Sequence, residues 1–316
     1  MTENKKTINS QAELNNPFSF TIKNLLEAGV HFGHKSSRRN CKMSKYIHSN
    51  RNGLSIIDLN KSAHGLYESL KIVKEVVKNN GKILFVGTKK QAKSTIKESA
   101  ERCGQFYVSE KWPGGLLTNW RTSVKSIRKL SEIEREIADN EHSGKLNKKE
   151  LLLLDRTRQK LDRVFGGIRK MGGYPDLVFF VDVRKENIAI QECKKLNIPR
   201  MSILDTNCDP DNSTYIIPGN DDSVKAIRLY CRLISDAALL GIKEQSVSAG
   251  SSNESVNKIA KKVDSSRVKK APVKKATVKK DEAKKSDVKK STVKSDAPKK
   301  NMAKKDETKK KPIVKK

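Results

Sequence analysis

The feature that most limits the fold is a series of short, uninterrupted apolar runs. Five runs of strand length occur, at 82–86, 106–108, 176–182, 201–204 and 215–217. Helical patterns separate them, including one at 187–196 and a final long helix from about 222 to 240. Continuous apolar strands between helices indicate a parallel sheet with both faces covered. We therefore predict an α/β fold, a Rossmann-like three-layer sheet with helices on both faces.

One long segment interrupts this alternation. Between the second and third runs, apolar residues recur at spacings of three and four, with charged residues between them. This pattern predicts an inserted antiparallel helical coiled-coil hairpin over 119–171, with its turn near 140–147. Arms of about 20 residues would extend about 30 Å. The segment has 14 basic and eight acidic residues, so the projection is basic, although a solvated helix pair is the alternative.

The C-terminal segment, 245–316, has a different composition. It has no aromatic residue, and Lys-Lys pairs recur every five residues from Lys269 onward. A five-residue period makes no apolar stripe on a helix, so we predict a disordered, Lys-rich tail. The predicted organisation is a flexible N-terminal segment (1–19), an α/β domain (20–118 and 172–244), the inserted hairpin (119–171) and the tail (245–316).

The net charge of +31 suggests a polyanionic partner, either nucleic acid or an anionic membrane. Residues 251–316 have a net charge of +16, so the rest of the chain is also basic. The longest apolar run, 177–181, is far shorter than the ~20 residues of a membrane helix. Residues 1–16 are polar and lack a signal core. We therefore expect a soluble chain with no membrane partner, whose five cysteines are reduced and mostly buried.

The segment from Lys35 to Arg51 is a candidate contact for nucleic acid. It contains no acid and six cations: Lys35, Arg38, Arg39, Lys42, Lys45 and Arg51. Such cations neutralise phosphates, and Tyr46 or His48 among them can stack on an unpaired base. A solvated basic loop is the alternative.

Two histidines precede this segment. His31 and His34 could offer imidazoles to zinc, with Cys41 or His48 completing the set, but the spacing is loose. We favour the interpretation that they stabilise a loop or contact RNA. We predict no metal site and no cofactor.

Gly87 to Lys90 follows an apolar run and is expected to begin a helix. Backbone amides and the side chains of Lys89 and Lys90 would favour an anion there, so both lysines are RNA candidates. The segment matches neither the phosphate-loop nor the dinucleotide fingerprint. An enzyme that binds a phosphorylated ligand is therefore the weaker alternative, and with no evident catalytic set we predict no enzymatic activity and no small-molecule substrate.

Two acidic loops, 205–211 and 218–222, follow later strands. Ligands of doubly wound sheets bind at the carboxyl ends of strands, so these loops could hold magnesium or a substrate. We favour turn formation and capping of the last helix by Asn220 or Asp221.

Both tryptophans lie in the loop 110–120, which is expected to pack the base of the hairpin. Arg121 beside this loop, and Lys125 and Arg128 along the first arm, are further candidates for contact with phosphate.

Several of these segments, in this order, resemble a known family. They are Leu25-Leu-Glu-Ala-Gly-Val-His-Phe-Gly-His34, Lys82–Lys89, Trp112–Trp120, Met171-Gly-Gly-Tyr-Pro-Asp176 and Asp205–Asp222. The family is ribosomal protein number two of the small subunit, in its bacterial form, and the resemblance covers about residues 20–244.

The resemblance implies a parallel α/β domain with an inserted coiled-coil hairpin. It also implies a structural, non-catalytic role in the cytoplasmic ribosome, with binding to small-subunit ribosomal RNA (rRNA) near the head–body junction. The implied protein partners are neighbouring small-subunit proteins, including the large mRNA-binding ribosomal protein number one, which the family helps to recruit. A histone-like condensing protein would explain the tail, which lies outside the resemblance, but not the ordered body.

The chain departs from the family in the basic segment. Where the family often has Trp-Asn-Pro-Lys-Met, this sequence has Arg39-Asn40-Cys41-Lys42-Met43. Losing an aromatic residue and a proline and gaining a cation predict a less rigid, more basic loop. The family's aromatic stacking does not carry over to Arg39, although a guanidinium can itself stack or bind phosphate.

Overall fold

The computed structural model describes residues 18–143 and 147–248. The helices, in chain order, are α1 (Ile22–Glu27), α2 (Leu59–Lys78), α3 (Lys93–Arg102), α4 (Trp120–Ser143), α5 (Lys148–Phe165), α6 (Asn187–Lys195) and α7 (Val224–Ser248). The strands are β1 (Phe32–Lys35), β2 (Ile47–Arg51), β3 (Leu54–Ile57), β4 (Ile83–Val86), β5 (Phe106–Val108), β6 (Leu177–Phe180), β7 (Arg200–Leu204) and β8 (Tyr215–Pro218). None of these helices is long and apolar enough to cross a membrane.

The central sheet contains five parallel strands in the order β5-β4-β6-β7-β8. The chain runs outward from β4 to β5, returns to β6 on the other side of β4, and continues to β8. The predicted parallel α/β fold is therefore confirmed. The order of strands reverses between β4 and β6, which is where ligands bind in open α/β sheets.

Both faces of the sheet are buried, because successive side chains on a strand point to opposite faces. Phe85 and Phe179 belong to one core with α2, α3 and α7. Val86 and Phe180 belong to a second core with α6, the Trp112 loop and Met43. The central strands β4 and β6 are apolar at every position because neither face meets water.

At each edge of the sheet, a glycine allows a neighbouring segment to approach the edge strand closely. A Cβ atom at Gly65 of α2 would lie 2.5 Å from the carbonyl oxygen of Ile216 on the edge strand β8. A Cβ atom at Gly167 would overlap the carbonyl oxygen of Tyr107 on the opposite edge strand, β5. Close backbone contact at both edges therefore depends on residues without a side chain.

The inserted segment contains α4 and α5, which contact each other. Leu130 and Ile133 of α4 are buried, and the guanidinium of Arg169 donates a 2.7 Å hydrogen bond to Glu134. Coiled-coil packing of this pair stays a prediction, and part of the predicted turn, 144–146, lies outside the described residues.

A second sheet was not predicted. Strands β1, β3 and β2 form an antiparallel ribbon in that order, and two 3₁₀ turns, Ser36–Arg38 and Cys41–Tyr46, lie between β1 and β2. The segment 35–51, interpreted from the sequence as a basic loop, therefore contains two 3₁₀ turns and a strand. The missed signal is Asn52-Gly53: both residues have positive φ, +49° and +74°, and join β2 to β3 in a two-residue turn.

Several predicted boundaries are corrected. Helix α3 begins at Lys93, so Lys89 and Lys90 precede it instead of forming its first turn. The N-cap of α7 is Ser223, whose hydroxyl accepts a hydrogen bond from the amide of Ala226. The side chain of Asn220 instead stabilises the preceding turn by accepting from the amides of Asp222 and Ser223. Asp221 therefore is not the cap either.

The predicted ends of the body also change. Phe18 is buried and packs against Tyr67, so the described part of the predicted flexible segment, 18–19, is partly packed on the body. Helix α7 includes residues 245–248, which were assigned to the tail. Residues 1–17 and 249–316, including the predicted Lys-rich tail, lie outside the described residues. Four of the five cysteines are buried and Cys41 is exposed.

Candidate nucleic-acid interface

The ribbon of β1–β3 presents all six predicted cations of the 35–51 segment at its surface. Lys35 ends β1, Arg51 ends β2, and the other four lie in or beside the two 3₁₀ turns between them; these four are Arg38, Arg39, Lys42 and Lys45. The side chains of all six residues are exposed.

Backbone hydrogen bonds and a buried side chain fix the ribbon on the sheet. The amide of Asn40 donates to the carbonyl oxygen of Thr206 over 2.9 Å. The amide of His34 donates to the hydroxyl of Thr206 over 3.0 Å, and Met43 is fully buried in the second core. The exposed cations therefore have defined positions relative to the carboxyl ends of the strands.

Lys42 differs from the other cations of the ribbon because it has acidic partners. Its ammonium lies 3.2 Å from a carboxylate oxygen of Asp209 and also contacts Asp211, both in the loop after β7. The hydrogen bonds that its ammonium donates to these two carboxylates raise the pKa of Lys42. The sequence prediction treated the basic segment and this acidic loop as separate features.

Lys89 lies in a cluster of carboxylates at the reversal point of the sheet. Its ammonium is 2.6 Å from Asp222, 3.2 Å from Asp221 and 3.4 Å from Asp182. Burial lowers the pKa of Lys89, but the three carboxylates more than offset this and raise it. The cation that the sequence suggested for phosphate therefore neutralises buried acids of this chain, whereas its neighbour Lys90 is exposed.

Asp221 and Asp182 contribute differently to this cluster. Burial and the nearby carboxylates of Asp182 and Asp205 raise the pKa of Asp221 to about 7. Asp182 also accepts hydrogen bonds from the amides of Arg184 and Lys185. Asp182 was not predicted as a site residue, because it lies at the end of an apolar run and no spacing motif marks it.

His34 joins the ribbon to the same cluster. Its Nδ1 is 2.8 Å from Asp205 and its Nε2 is 3.4 Å from Asp222. The hydrogen bond to Asp205 raises the pKa of His34, partly offset by burial. Burial lowers the pKa of His31, whose ring packs on Phe32 at 4.0 Å between ring centroids.

The zinc set considered from the sequence does not come together in the described residues. Ligand atoms of His34, Asp205, Asp221 and Asp222 lie within 4.8 Å of one another, but this group does not include His31, Cys41 or His48. The ammonium of Lys89 already lies against two of its carboxylates. The geometry therefore assigns these acids to an internal charge cluster that binds the ribbon to the sheet.

The first helix of the insertion carries the remaining predicted cations. Arg121, Lys125 and Arg128 are all exposed and are spaced by four and three residues, which places them on one face of α4. At the base of this helix, Trp120 packs near Tyr174, with ring centroids 6.2 Å apart.

A buried carboxylate determines the conformation of the loop before α4. Glu192 of α6 accepts hydrogen bonds from the indole Nε1 of Trp112 and from the amides of Gly115, Leu117 and Thr118, at 2.8–3.1 Å. Burial would raise the pKa of Glu192, but these donors lower it below its usual value. Glu192 was not predicted as a structural residue, because a lone acid in a helical pattern gives no signal of its role.

Comparison with known proteins identifies the family. A family model described as Ribosomal protein S2 matches residues 25–241. The chain belongs to the ribosomal protein S2 family. The small ribosomal subunit protein uS2 of Rhodospirillum centenum is 50% identical over 232 residues, which is 73% of this chain and 88% of that protein.

Two further S2 proteins show similar agreement. Those of Caulobacter vibrioides and Agrobacterium fabrum, both named small ribosomal subunit protein uS2, are 52% and 50% identical over 231 residues. Each match covers 73% of this chain, and it covers 85% and 90% of the two relatives, respectively. Membership of the S2 family confirms the resemblance and the prediction that the chain is a ribosomal protein and not an enzyme.

Proposed function

We propose that this S2 family protein is a structural component of the small ribosomal subunit in the cytoplasm and binds small-subunit rRNA. The observation that carries the proposal is a set of exposed cations on an anchored ribbon. Among the described residues, no carboxylate lies within 4.0 Å of the basic groups of five ribbon cations: Lys35, Arg38, Arg39, Lys45 and Arg51. Cations without an acidic partner in the same chain are suited to phosphate.

The proposed surface has a second part at the base of the insertion. Arg121, Lys125 and Arg128 share one exposed face of α4, and such a face can follow an RNA backbone. Lys90 adds an exposed charge near the sheet. The other predicted RNA candidates are His31, His34, Lys42 and Lys89. The last three each have an acidic partner, which phosphate would have to replace.

Salt dependence tests the rRNA contact. The full chain should bind small-subunit rRNA with an affinity that falls steeply with salt concentration, because phosphate contacts release counterions. The double variant Arg38→Gln/Arg39→Gln should lower the salt slope by roughly one for each phosphate that the variant no longer neutralises. The control is Lys74→Gln/Lys78→Gln on α2, whose lysines both pair with Glu244. Equal slopes for both double variants would contradict the assignment of RNA contact to the ribbon.

Assembly into the subunit is tested by sedimentation of a cell lysate. The chain should travel with small subunits in a sucrose gradient. Its presence only in the fraction without ribosomes would contradict the proposal.

The proposal includes protein neighbours, among them the large mRNA-binding ribosomal protein number one. Its support is the family resemblance. Small subunits assembled without this chain should retain less of that protein after gradient purification than subunits assembled with it. Equal retention would exclude the recruiting role.

The proposal also includes the predicted domain organisation and the tail. We propose that 119–171 is an insertion in the α/β body and that the Lys-rich tail is a tether of low specificity for RNA. A chain ending at Ser248 keeps all of α7. It should lose RNA affinity more at low salt than at high salt, and an unchanged salt slope would contradict the tether.

A further inference from the structure

A groove beside the ribbon is lined in part by tyrosine rings and carboxylates, and phosphate binding does not explain these groups. Its volume is about 560 Å³, and residues of α2 and of the edge strand β8 line it. This volume is within the roughly 300–1,000 Å³ of small-molecule sites. Its aromatic lining comes from two elements: Tyr46, at the end of the second 3₁₀ turn of the ribbon, and Tyr215, on β8.

The polar lining favours a neutral ligand over an anion. Its charged groups are the carboxylates of Asp58 and Glu68 and the ammonium of Lys61, so acids outnumber lysines in the lining. Each carboxylate has a nearby lysine, since Lys61 lies 3.8 Å from Asp58 and Lys71 lies 3.3 Å from Glu68. Carboxylates repel phosphate, but they accept hydrogen bonds from uncharged N–H groups.

Tyr46 connects this groove to the cationic surface. It is in the same 3₁₀ turn as Lys42 and Lys45, and the ammonium of Lys45 lies 5.0 Å from the centroid of the Tyr46 ring. An RNA backbone on the ribbon would therefore pass the mouth of the groove. A base that leaves the stack at this point would meet an aromatic side chain next to hydrogen-bond acceptors.

We propose that the groove binds one unpaired nucleobase of the RNA whose backbone lies on the ribbon. Tyr46 supplies the stacking surface, and Asp58 and Glu68 accept hydrogen bonds from an exocyclic amino group. Adenine, cytosine and guanine have such a group and uracil does not, so the groove selects bases with an amino group. This inference rests on the proposed rRNA binding and adds a base-specific site to it.

The test measures binding of the full chain to short oligoribonucleotides that differ only at a central position. That position is adenine, uracil or an abasic ribose, and the salt concentration is high enough to weaken contacts made through the backbone alone. The adenine oligonucleotide should bind roughly five- to a hundredfold more tightly than the abasic one, the range expected for stacking on an aromatic side chain. Uracil should fall between them.

Variants assign the effect to the groove. Tyr46→Leu should remove the advantage of adenine, and Tyr46→Phe, which keeps the ring, should retain it. Tyr174→Leu is the control, because Tyr174 is a half-exposed tyrosine outside the groove. Glu68→Gln, at an exposed residue, should reduce the preference for adenine over uracil. This variant tests the groove if circular dichroism shows that Tyr46→Leu does not fold.

Fluorescence of 2-aminopurine at the central position reports stacking directly. Its emission should fall on binding to the wild-type chain and to Tyr46→Phe, but not on binding to Tyr46→Leu. Equal affinities for the three oligonucleotides, with binding still dependent on salt, would overturn the base site and leave the proposed function intact. A complete lack of binding at low salt would overturn both.

Discussion

The indole Nε1 of Trp112 donates a 2.9 Å hydrogen bond to Oε1 of Glu192, although the two residues are 80 positions apart in the sequence. The same carboxylate accepts hydrogen bonds from three backbone amides of the loop that leads into α4. One side chain of α6 thus determines the conformation of the loop from which the inserted helices begin. The position of the cations on α4 depends on this contact.

Glu192→Gln should therefore destabilise the protein. An amide has one acceptor oxygen and presents N–H groups to some of the donors, so buried donors lose partners. We expect a loss of about 2 kcal/mol in the free energy of unfolding, measured by urea denaturation. Glu98→Gln, at an exposed position of α3, is the matched control and should have little effect.

The contribution of Glu192 should also depend on pH. Its pKa is lower in the folded protein than its usual value of 4.5, so its stabilisation is complete above that pH and is lost as the pH falls through the folded pKa. The difference in unfolding free energy between wild type and Glu192→Gln should shrink below pH 4.5. A constant difference down to pH 3 would show that the carboxylate charge is not the cause.

Lys89 and Lys90 should give opposite results when each is replaced by methionine. Lys89→Met leaves buried carboxylates without their cation, and we expect a loss of about 3–5 kcal/mol in stability. Lys90→Met changes an exposed side chain and should leave stability nearly unchanged while weakening RNA binding. Urea denaturation and filter binding of rRNA measure the two effects. A stable Lys89→Met variant with weakened RNA binding would assign Lys89 to phosphate instead.

The defect of Lys89→Met should be smaller at lower pH. The pKa of Asp221 is raised to about 7 even with Lys89 present, and removal of the lysine raises it further. A carboxyl whose pKa is raised on folding destabilises the protein above the folded pKa, and this destabilisation decreases as the pH falls from the folded pKa toward the unfolded pKa. The difference in stability between wild type and Lys89→Met should therefore shrink between pH 8 and pH 6. A constant difference over this range would contradict the role of the carboxylate cluster.

Gly65→Ala should destabilise the protein by disrupting the contact between α2 and the edge strand β8. A Cβ atom at this position would lie 2.5 Å from the carbonyl oxygen of Ile216, so α2 or β8 must move. We expect a loss of about 1–3 kcal/mol, the usual cost of overpacking, measured by thermal or urea unfolding. Gly114→Ala is the control, because a Cβ atom there meets nothing within 4 Å and φ is not positive.

The cationic face of α4 should contribute to RNA binding more than the corresponding face of α5. The triple variant Arg121→Gln/Lys125→Gln/Arg128→Gln should reduce both affinity and salt slope, by roughly 0.9 for each phosphate that is no longer neutralised. Its matched control is Arg156→Gln/Lys160→Gln/Arg163→Gln, three cations with the same spacing on α5. Equal effects of the two triple variants would show that the insertion binds RNA without a preferred face.

Much of the fold followed from the sequence because the signals were local. Runs such as Ile83–Val86 and Leu177–Phe180 are apolar at every position, and a strand with two buried faces has this pattern. The ribbon was missed even though it has a local signal, Asn52-Gly53, because its strands are short and carry polar side chains at many positions. The composition of this segment therefore indicated a basic surface but not a hairpin.

The candidate site was predictable only in part. The exposed cations of the ribbon and of α4 were predictable from the sequence, because an exposed lysine or arginine carries a positive charge wherever the fold places it. It did not separate Lys89 from Lys90, which differ only in what surrounds them: one contacts three carboxylates and the other faces solvent.

The sequence by itself determined the family, the parallel sheet and the basic character of the surface. These depend on residue type and on spacing along the chain, which folding does not alter. Only the tertiary structure decided which of the predicted cations have a carboxylate partner among the described residues. Lys42 meets Asp209, His34 meets Asp205 and Trp112 meets Glu192 across 80 to 171 residues of sequence. Such pairings depend on which strand ends and loops are brought together, and electrostatic interaction acts over distance in space and not along the chain.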